Sequence, residues 1–180
     1  MLFRSLLAKT NAPGFLHPVE AELADLTDSV LAKAQALAPD RAWSLAGRAD
    51  ATALLDPVRV TQAWLQLAEN AVKYSPAGSP VELGSAVDPA AGTVELWVRD
   101  HGPGIPEQQS ARIFERFARA EVGRGVDGSG LGLSIVAAIA AGHGGTASAR
   151  NAQDGGARVT IELPLGIDRK EADDAEHPDR

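Results

Sequence analysis

The chain has 180 residues, 44% of them hydrophobic, which is enough for one domain built around a single core. The formal net charge of −7 argues against a sequence-independent nucleic-acid binder, because neutralising phosphates requires clustered Lys and Arg residues and the sequence has no such cluster. Without cysteine there is no disulfide framework, no thiol nucleophile and no cysteine zinc site, so an anionic ligand must be held by backbone amides or a few placed cations.

The two ends of the chain are expected to lie outside the domain. Residues 1–16 begin with a short apolar stretch and are broken by the turn Asn11-Ala12-Pro13-Gly14, which predicts the remnant of an upstream helix and linker. That stretch is far shorter than the roughly 20 residues of a membrane helix and lacks the features of a signal peptide. Residues 166–180 are acidic and nearly free of apolar side chains, which predicts a disordered tail and assigns residues 17–165 to the domain.

The first half of the domain is predicted to contain two helices and two short strands. Apolar residues at helical spacing predict an amphipathic helix from about Val19 to Leu37, packed against a sheet. Strands are predicted at Ala42–Ala46 and Ala51–Leu55. Asp56-Pro57 then fits the N-cap and first position of a second helix that ends at Tyr74, before the next proline and glycine.

The second half is predicted to contain a hairpin, two helices and a closing pair of strands. Its elements in chain order are strands at Pro80–Val87 and Thr93–Asp100, a short helix at about Glu107–Phe114, a Gly-rich loop at 123–130, a helix at about Leu131–Ala141, and strands at about Thr146–Arg150 and Arg158–Leu163. The run Gly142-His143-Gly144-Gly145 is predicted to end the last helix.

A polar stripe lies on the helix that ends at Tyr74. Gln66, Asn70 and Lys73 recur at i, i+4 and i+7, which places two amides and a cation on one face. A different stripe is predicted to face the core, formed by Val60, Trp64, Leu67 and Ala71. A solvated surface is the simpler explanation of the polar stripe taken alone, so its meaning depends on the segments that follow.

The segment Asp100-His101-Gly102-Pro103-Gly104 places a carboxylate at the end of a predicted strand, followed by two glycines that let the backbone turn and approach a ligand. A buried carboxylate in that position can accept a hydrogen bond from an exocyclic amine. An ordinary turn after a strand explains the same pattern, and the position of the segment downstream of the Asn70 helix favours the binding role.

The glycines of Gly128-Ser129-Gly130-Leu131-Gly132 open an apolar helix, where unpaired backbone N–H groups and the positive end of the helix dipole suit phosphates. A dinucleotide-binding fold also uses such glycines, but no strand leads into them here and no βαβ unit surrounds them. Upstream, Phe114 and Phe117 are predicted to pack in a core or hinge. Arg116 and Arg119 either bind phosphate oxygens or are solvated.

These segments, in this order, resemble the N, G1, F and G2 boxes of sensor histidine kinases at residues 66–75, 100–106, 113–117 and 128–136, and His143-Gly144-Gly145 matches a further family feature. The resemblance covers about Val19 to Pro164. It implies a Bergerat-type α/β ATP-binding fold, a two-layer α+β sandwich with helices packed on one face of a mixed sheet. The gyrase, chaperone and mismatch-repair ATPases share this fold.

The resemblance also implies that the matching residues bind ATP with Mg²⁺. Asp100 would bind the adenine amino group, Asn70 would coordinate Mg²⁺, and Arg119 resembles the lid arginine near the γ-phosphate. The residues that would contact or frame the rest of the nucleotide are Gln66, Lys73, Tyr74, Gly102, Gly104, Ile105, Gly128, Ser129, Gly130, Leu131 and Gly132. Residues from about Ala118 to Gly128 would form a lid that closes over ATP.

The implied partners are a histidine-bearing dimerisation domain of the same kinase and, beyond it, a response regulator. The phosphoacceptor motif of the family is missing, because His17, His101, His143 and His177 all lack its context. His101 and His143 are instead expected to have backbone and packing roles. We expect a cytoplasmic monomer that contacts neither nucleic acid nor membrane directly. The resemblance is also compatible with a longer parent protein that is anchored in the inner membrane.

Gln66 departs from the family pattern, in which sensor kinases usually have Asn and the related ATPases have a water-activating Glu. Gln keeps the amide but cannot act as a base, and Glu69 is expected to point about 60° away from it on the helix, so no general base is identifiable. Two alternatives stay open: a degenerate nucleotide-binding regulatory module, which Gln66 would suit, and a free-standing serine kinase or ATPase, which would want a carboxylate at that position.

Overall fold

The computed structural model describes residues 15–110, 112–115 and 131–166. Its elements in chain order are β1 Val19–Glu22, α1 Leu23–Leu37, β2 Ala42–Gly47, β3 Thr52–Leu55, α2 Pro57–Tyr74, β4 Pro80–Asp88, β5 Thr93–Asp100, α3 Glu107–Ser110, α4 Gly132–Gly142, β6 Thr146–Asn151 and β7 Ala157–Pro164. Five strands form a mixed sheet in the order β2-β4-β5-β7-β6, with β2 parallel to β4 and the other neighbours antiparallel. The predicted mixed-sheet α/β architecture is confirmed.

The core lies between one face of this sheet and the helices α1, α2 and α4. Alternate residues of β5 point into it, because successive side chains of a strand face opposite sides, and Val94, Leu96 and Val98 are all buried. The helices contribute Leu23 and Val30 from α1, Val60, Trp64, Leu67 and Ala71 from α2, and Ile135 and Ile139 from α4. The core stripe predicted on α2 is therefore confirmed.

The start of α2 agrees with the sequence prediction. Asp56 is the N-cap, and its Oδ1 accepts hydrogen bonds from the backbone N–H groups of Val58 and Arg59, both at 3.0 Å. Pro57 occupies the first turn, where the missing N–H has no intrahelical partner to lose. The helix runs to Tyr74, as predicted.

The end of α2 is fastened by a residue that the sequence analysis did not single out. The guanidinium of Arg41 donates to the carbonyl oxygens of Val72 at 2.6 Å and Ser75 at 3.1 Å, and also to that of Pro76. The last carbonyls of a helix lack intrahelical donors, and a cation there also interacts favourably with the helix dipole. Arg41 thus fixes the end of the helix that carries the polar stripe.

Two predicted helices differ in extent from those observed. The helix predicted from Val19 begins only at Leu23, because residues Val19–Glu22 pair antiparallel with Thr52–Leu55 in a small second sheet. This long-range pairing overrides the helical spacing. The helix predicted from Glu107 is shorter than expected, since α3 ends at Ser110 and residues 112–114 form hydrogen-bonded turns.

The proposed partition of the chain into three segments stays a prediction, since residues 1–14 and 167–180 lie outside the described residues. Phe15, at the end of the segment assigned to the upstream linker, is buried in the core with 7% exposure. The Arg59 guanidinium lies 4.7 Å above the centre of its ring.

Candidate functional site

The polar stripe of α2 provides one wall of the candidate site. Gln66 donates from Nε2 to Glu69 Oε2 at 2.7 Å, and because a carboxylate only accepts, the amide oxygen of Gln66 faces the other way. Asn70 Nδ2 is buried, and the Asn70 side chain makes no hydrogen bond within the part of the chain that the structure describes. Lys73 Nζ lies 5.1 Å from the centre of the Tyr74 ring.

The N-terminus of α4 faces this wall. A Cβ atom added to Gly132 would lie 2.8 Å from Gln66 Oε1 and 3.6 Å from Asn70 Nδ2, so a larger residue there would require the Gln66 side chain to move. Leu131 is the N-cap and provides no side-chain hydrogen bond to the first N–H groups of the helix. The amides of α2 thus lie beside a helix end whose N–H donors have no side-chain cap among the described residues and can bind an anion.

Asp100 lies at the end of β5, on the same side as the buried Val98, and is 8% exposed. Its Oδ1 accepts hydrogen bonds from the backbone N–H groups of Gly102 at 2.8 Å and Ala157 at 3.3 Å. Within the described residues no donor bonds to Oδ2. One carboxylate oxygen is therefore anchored and the other is available to a ligand donor.

The loop after Asp100 packs against the end of α2. A Cβ atom at Gly102 would lie 2.6 Å from the carbonyl oxygen of Tyr74, and Gly104 has a φ of +79°, a conformation that favours glycine. The backbone of Ile105 is tied to Asn151, which accepts from the Ile105 N–H at 2.7 Å and donates to its carbonyl at 2.8 Å. The predicted contact of Ile105 with nucleotide stays a prediction.

Two supporting residues escaped the sequence analysis. A Cβ atom at Gly156 would overlap the carbonyl oxygen of Asp100, and its φ of +80° again requires glycine. Asn151 holds the loop at Ile105, and no sequence signal marked it, because its partner lies 46 residues away along the chain.

His143 joins the end of α4 to the start of α2. The Asp56 N–H donates to His143 Nε2 at 3.0 Å, so Nε2 is unprotonated and Nδ1–H donates to the Ile139 carbonyl at 2.8 Å. The expected backbone and packing role of His143 is confirmed. His101 contacts a side chain instead of the backbone, since its Nε2 lies 3.0 Å from the carboxylate oxygen Oε1 of Glu82.

Asp56 is held as a carboxylate. Its burial acts to raise the pKa, but hydrogen bonds from the backbone N–H groups of Arg59, His17 and Val58 and the charge of Arg59 outweigh this effect. The pKa of Asp56 therefore lies below its ordinary value. This side chain belongs to the framework, since its acceptors are already used by the protein.

Several predicted residues cannot be placed. Arg119, Gly128, Ser129 and Gly130, together with the predicted lid, lie outside the described residues. The structure brings together Gln66, Asn70, Leu131 and Gly132 at one end of the site and Tyr74, Asp100 and Gly102 at the other. Among the described residues there is no group of three or more His, Cys, Asp or Glu side chains able to hold a metal ion, and none of the helices there is both long and apolar enough to span a membrane.

Comparison with known proteins gives a consistent result. A family profile described as histidine kinase-, DNA gyrase B- and HSP90-like ATPase matches residues 55–167. A Mycobacterium tuberculosis protein named sensor histidine kinase component HK1 is 40% identical over 110 residues, which is 61% of this chain and 63% of the relative. The chain thus spans less than two thirds of that relative's length.

Solved structures share the fold. The chain is similar to a mycobacterial sensor histidine kinase MprB, with a TM-score of 0.72 and 32% identity over 83% of this chain and 99% of that one. It is also similar to full-length ShkA, solved in complex with AMPPNP, with a TM-score of 0.74 and 30% identity over 91% of this chain and 35% of that one.

Proposed function

The chain belongs to the family of histidine kinase-, DNA gyrase B- and HSP90-like ATPases, and on that premise we propose that it is the catalytic part of a sensor kinase. In this proposal it binds ATP with Mg²⁺ and donates the γ-phosphate to a histidine on a dimerisation domain outside this chain. A response regulator would then receive the phosphoryl group from that histidine.

The observation that carries the proposal is the placement of two different binding ends along α2. At Tyr74 the helix meets Gly102 and the anchored carboxylate of Asp100. At Asn70 and Gln66 it meets the uncapped N-terminus of α4. From Asn70 to Tyr74 the axis advances only about 6 Å, so one elongated ligand with an amine at one end and phosphates at the other can reach both.

The residues at the two ends have complementary tasks. Asp100 Oδ2 would accept from the adenine amine, and the free N–H groups of α4 would bind phosphate oxygens. The amide oxygens of Asn70 and Gln66 suit Mg²⁺, which prefers oxygen ligands, and the position of both side chains beside Gly132, at the start of α4, fits that role. When bound, the ion would neutralise charge on the phosphate oxygens.

The site favours phosphoryl transfer over water activation. Gln66 has no basic group, and the carboxylate of Glu69 accepts a hydrogen bond from the Gln66 amide on an exposed part of the helix. A protein of this kind can position ATP for an incoming acceptor without supplying its own base. The same absence of a base at position 66 also suits a regulatory module that only holds nucleotide, so phosphotransfer must be tested separately from binding.

Substitution of Asp100 by Asn tests the binding site. Because Oδ1 accepts two backbone N–H groups, an Asn would keep its carbonyl there and turn its NH₂ toward the adenine amine, donor against donor. We expect Asp100→Asn to weaken Mg-ATP binding at least tenfold in calorimetric titrations, from the loss of one charge-assisted hydrogen bond. Affinity for ITP, whose base has an oxygen acceptor in place of the amine, should rise, because the Asn NH₂ can donate to that oxygen whereas the Asp carboxylate cannot.

Asp28→Asn is the matched control, because Asp28 forms an exposed ion pair with Arg48. It should leave both affinities unchanged. Equal losses of ATP and ITP binding in Asp100→Asn would argue against the adenine contact, and failure of the unsubstituted chain to bind Mg-ATP would exclude the kinase function. Phosphotransfer would be tested by adding a dimerisation domain of a related sensor kinase with labelled ATP. Label on its histidine supports the proposal; no label supports a regulatory module.

A further inference from the structure

The face of the sheet opposite the helices carries a second constellation of residues. Trp97 lies on this face of β5, and its ring rests on Gly47 and Gly84, where a Cβ atom would overlap it; at Gly47 the separation would be 2.7 Å. The guanidinium of Arg158 lies 4.1 Å above the centre of the indole. Trp97 is thereby only 7% exposed, although the helices α1, α2 and α4 pack on the other face of the sheet. The indole of Trp97 thus forms a flat surface, and the guanidinium of Arg158 is stacked on it.

Three arginines stand in one row beside this floor. Arg99 on β5 is directly paired with Arg158 on β7, and Arg158 is directly paired with Arg150 on β6. Like charges in directly opposed positions of a sheet destabilise it. Such a row is unexpected in a chain with a net charge of −7, and it indicates a surface arranged for a negative ligand.

The neighbouring carboxylates do not form ion pairs with all three arginines of this row. Arg99 pairs with Asp154 and lies 3.7 Å from Glu82, while Arg158 pairs with Glu95 at 2.8 Å. Within the described parts of the chain, Arg150 forms no ion pair with a carboxylate. The Nε atoms of Arg99 and Arg158 have no hydrogen-bond acceptor there either, but both atoms are buried. Burial lowers the pKa of Arg158 and the charge of Arg150 lowers it further, against the opposing effect of Glu95.

The arginines border a cavity of about 560 Å³, with Trp97 and Arg158 as its floor and Glu82, Asn151 and Asp154 also at its edge. This volume is typical of sites for small molecules, and guanidinium groups match the geometry of phosphate oxygens. We propose that this arginine cavity binds a small molecule that carries a phosphate or pyrophosphate group. Arg150 and Arg158 would bind its oxygens.

The arginine cavity is separate from the nucleotide site of the proposed function. Arg99 and Asp100 are consecutive residues of β5, so their side chains lie on opposite faces of the sheet. The ligand of the arginine cavity is therefore a second ligand, which can be present together with ATP. Binding there can be tested whether or not the chain transfers phosphate.

The probe for the test is sodium pyrophosphate, titrated at constant ionic strength maintained with NaCl. The readout is the indole N–H signals of the three tryptophans in ¹H–¹⁵N spectra, with the Trp97 signal assigned by its loss in Trp97→Phe. We expect a saturable shift of the Trp97 signal. The signal of Trp43 is an internal reference, because its Nε1 donates to the Ala38 carbonyl at 2.9 Å, away from the arginine cavity.

Arg150→Gln should weaken pyrophosphate binding about tenfold, from the loss of one charge-assisted contact. Arg150 is exposed, so the fold should be unaffected. Arg48→Gln is the matched control, since it removes one charge from another exposed position and should change the affinity less than twofold. The proposal is overturned if the Trp97 signal does not saturate, if both variants weaken binding equally, or if only the amide signals of Asn70 and Gly132 respond.

Discussion

The two helices that meet at the candidate site, α2 and α4, begin in opposite ways. At the start of α2 the Asp56 carboxylate accepts from the N–H groups of Val58, Arg59 and His17, and the Asp56 N–H itself donates to His143. Every group at this end has a partner within the protein. The capping side chain itself is buried, with Asp56 only 4% exposed.

At the start of α4 there is no such cap. Leu131 offers no side-chain acceptor, and Gly132 lets the helix end approach Gln66 and Asn70. Within the described residues, the N–H groups that a side-chain cap would satisfy have no such partner and can bind a ligand. Comparison of the two ends separates a helix N-terminus that joins two helices from one that serves as a binding site in the proposed function, and the presence of an acidic cap distinguishes them.

The largest expected effect comes from giving α4 the carboxylate that α2 has. Leu131→Asp would place a negative charge beside the bound phosphates, and Leu131→Asn would place a similar but neutral side chain there. We expect Mg-ATP to bind at least tenfold more weakly to the Asp variant than to the Asn variant, because the charge repels phosphate at short range. Calorimetric titration measures both, and equal affinities would show that α4 does not bind phosphate.

Removal of the cap from α2 should lower the stability of the fold and leave the affinity for Mg-ATP nearly unchanged. Asp56→Ala should lower the free energy of unfolding by about 1–2 kcal/mol, the usual cost of losing an N-cap, while the affinity for Mg-ATP stays within twofold. Urea denaturation measures the stability of the variant and of the unsubstituted chain. A large loss of affinity without a loss of stability would contradict the distinction between joint and binding site.

The smallest expected effect concerns the free energy of unfolding at acidic pH. Because the pKa of Asp56 is depressed in the folded state, its carboxylate stabilises the fold above the unfolded-state pKa of about 3.9, and this contribution is lost as the pH falls through the folded-state pKa. Asp56→Asn keeps a capping oxygen but does not titrate. We expect the unsubstituted chain to lose more stability than this variant as the pH falls below about 4, measured by urea denaturation at a series of pH values. Parallel curves would contradict the assignment.

Much of the fold could be predicted because its signals are local. The N-cap and proline at Asp56-Pro57 fix the start of α2, and the alternation of Val94, Leu96 and Val98 marks the buried face of β5. The exception is Val19–Glu22, where apolar spacing indicated a helix. Pairing with β3, more than 30 residues away, decided the strand instead, and a local pattern contains no information about that partner.

The candidate site likewise contains residues that local sequence signals predicted and residues that they did not. Sequence order and spacing singled out Gln66, Asn70, Asp100 and the glycines, since each local motif has the chemistry of its task. The supporting contacts of Arg41 and Asn151 were not predictable, because their partners are backbone groups that only the folded chain brings close.

The sequence by itself determined the family and the helix that carries the amides, and it predicted the carboxylate and glycines of the candidate site, because all of these depend on residue type and short spacing. Only the tertiary structure decided that Gly132 meets Gln66 and that Arg99, Arg150 and Arg158 form one row. In the sequence these arginines are scattered in an acidic chain. Strand register makes them neighbours, and register is set by long-range hydrogen bonding and burial of one sheet face.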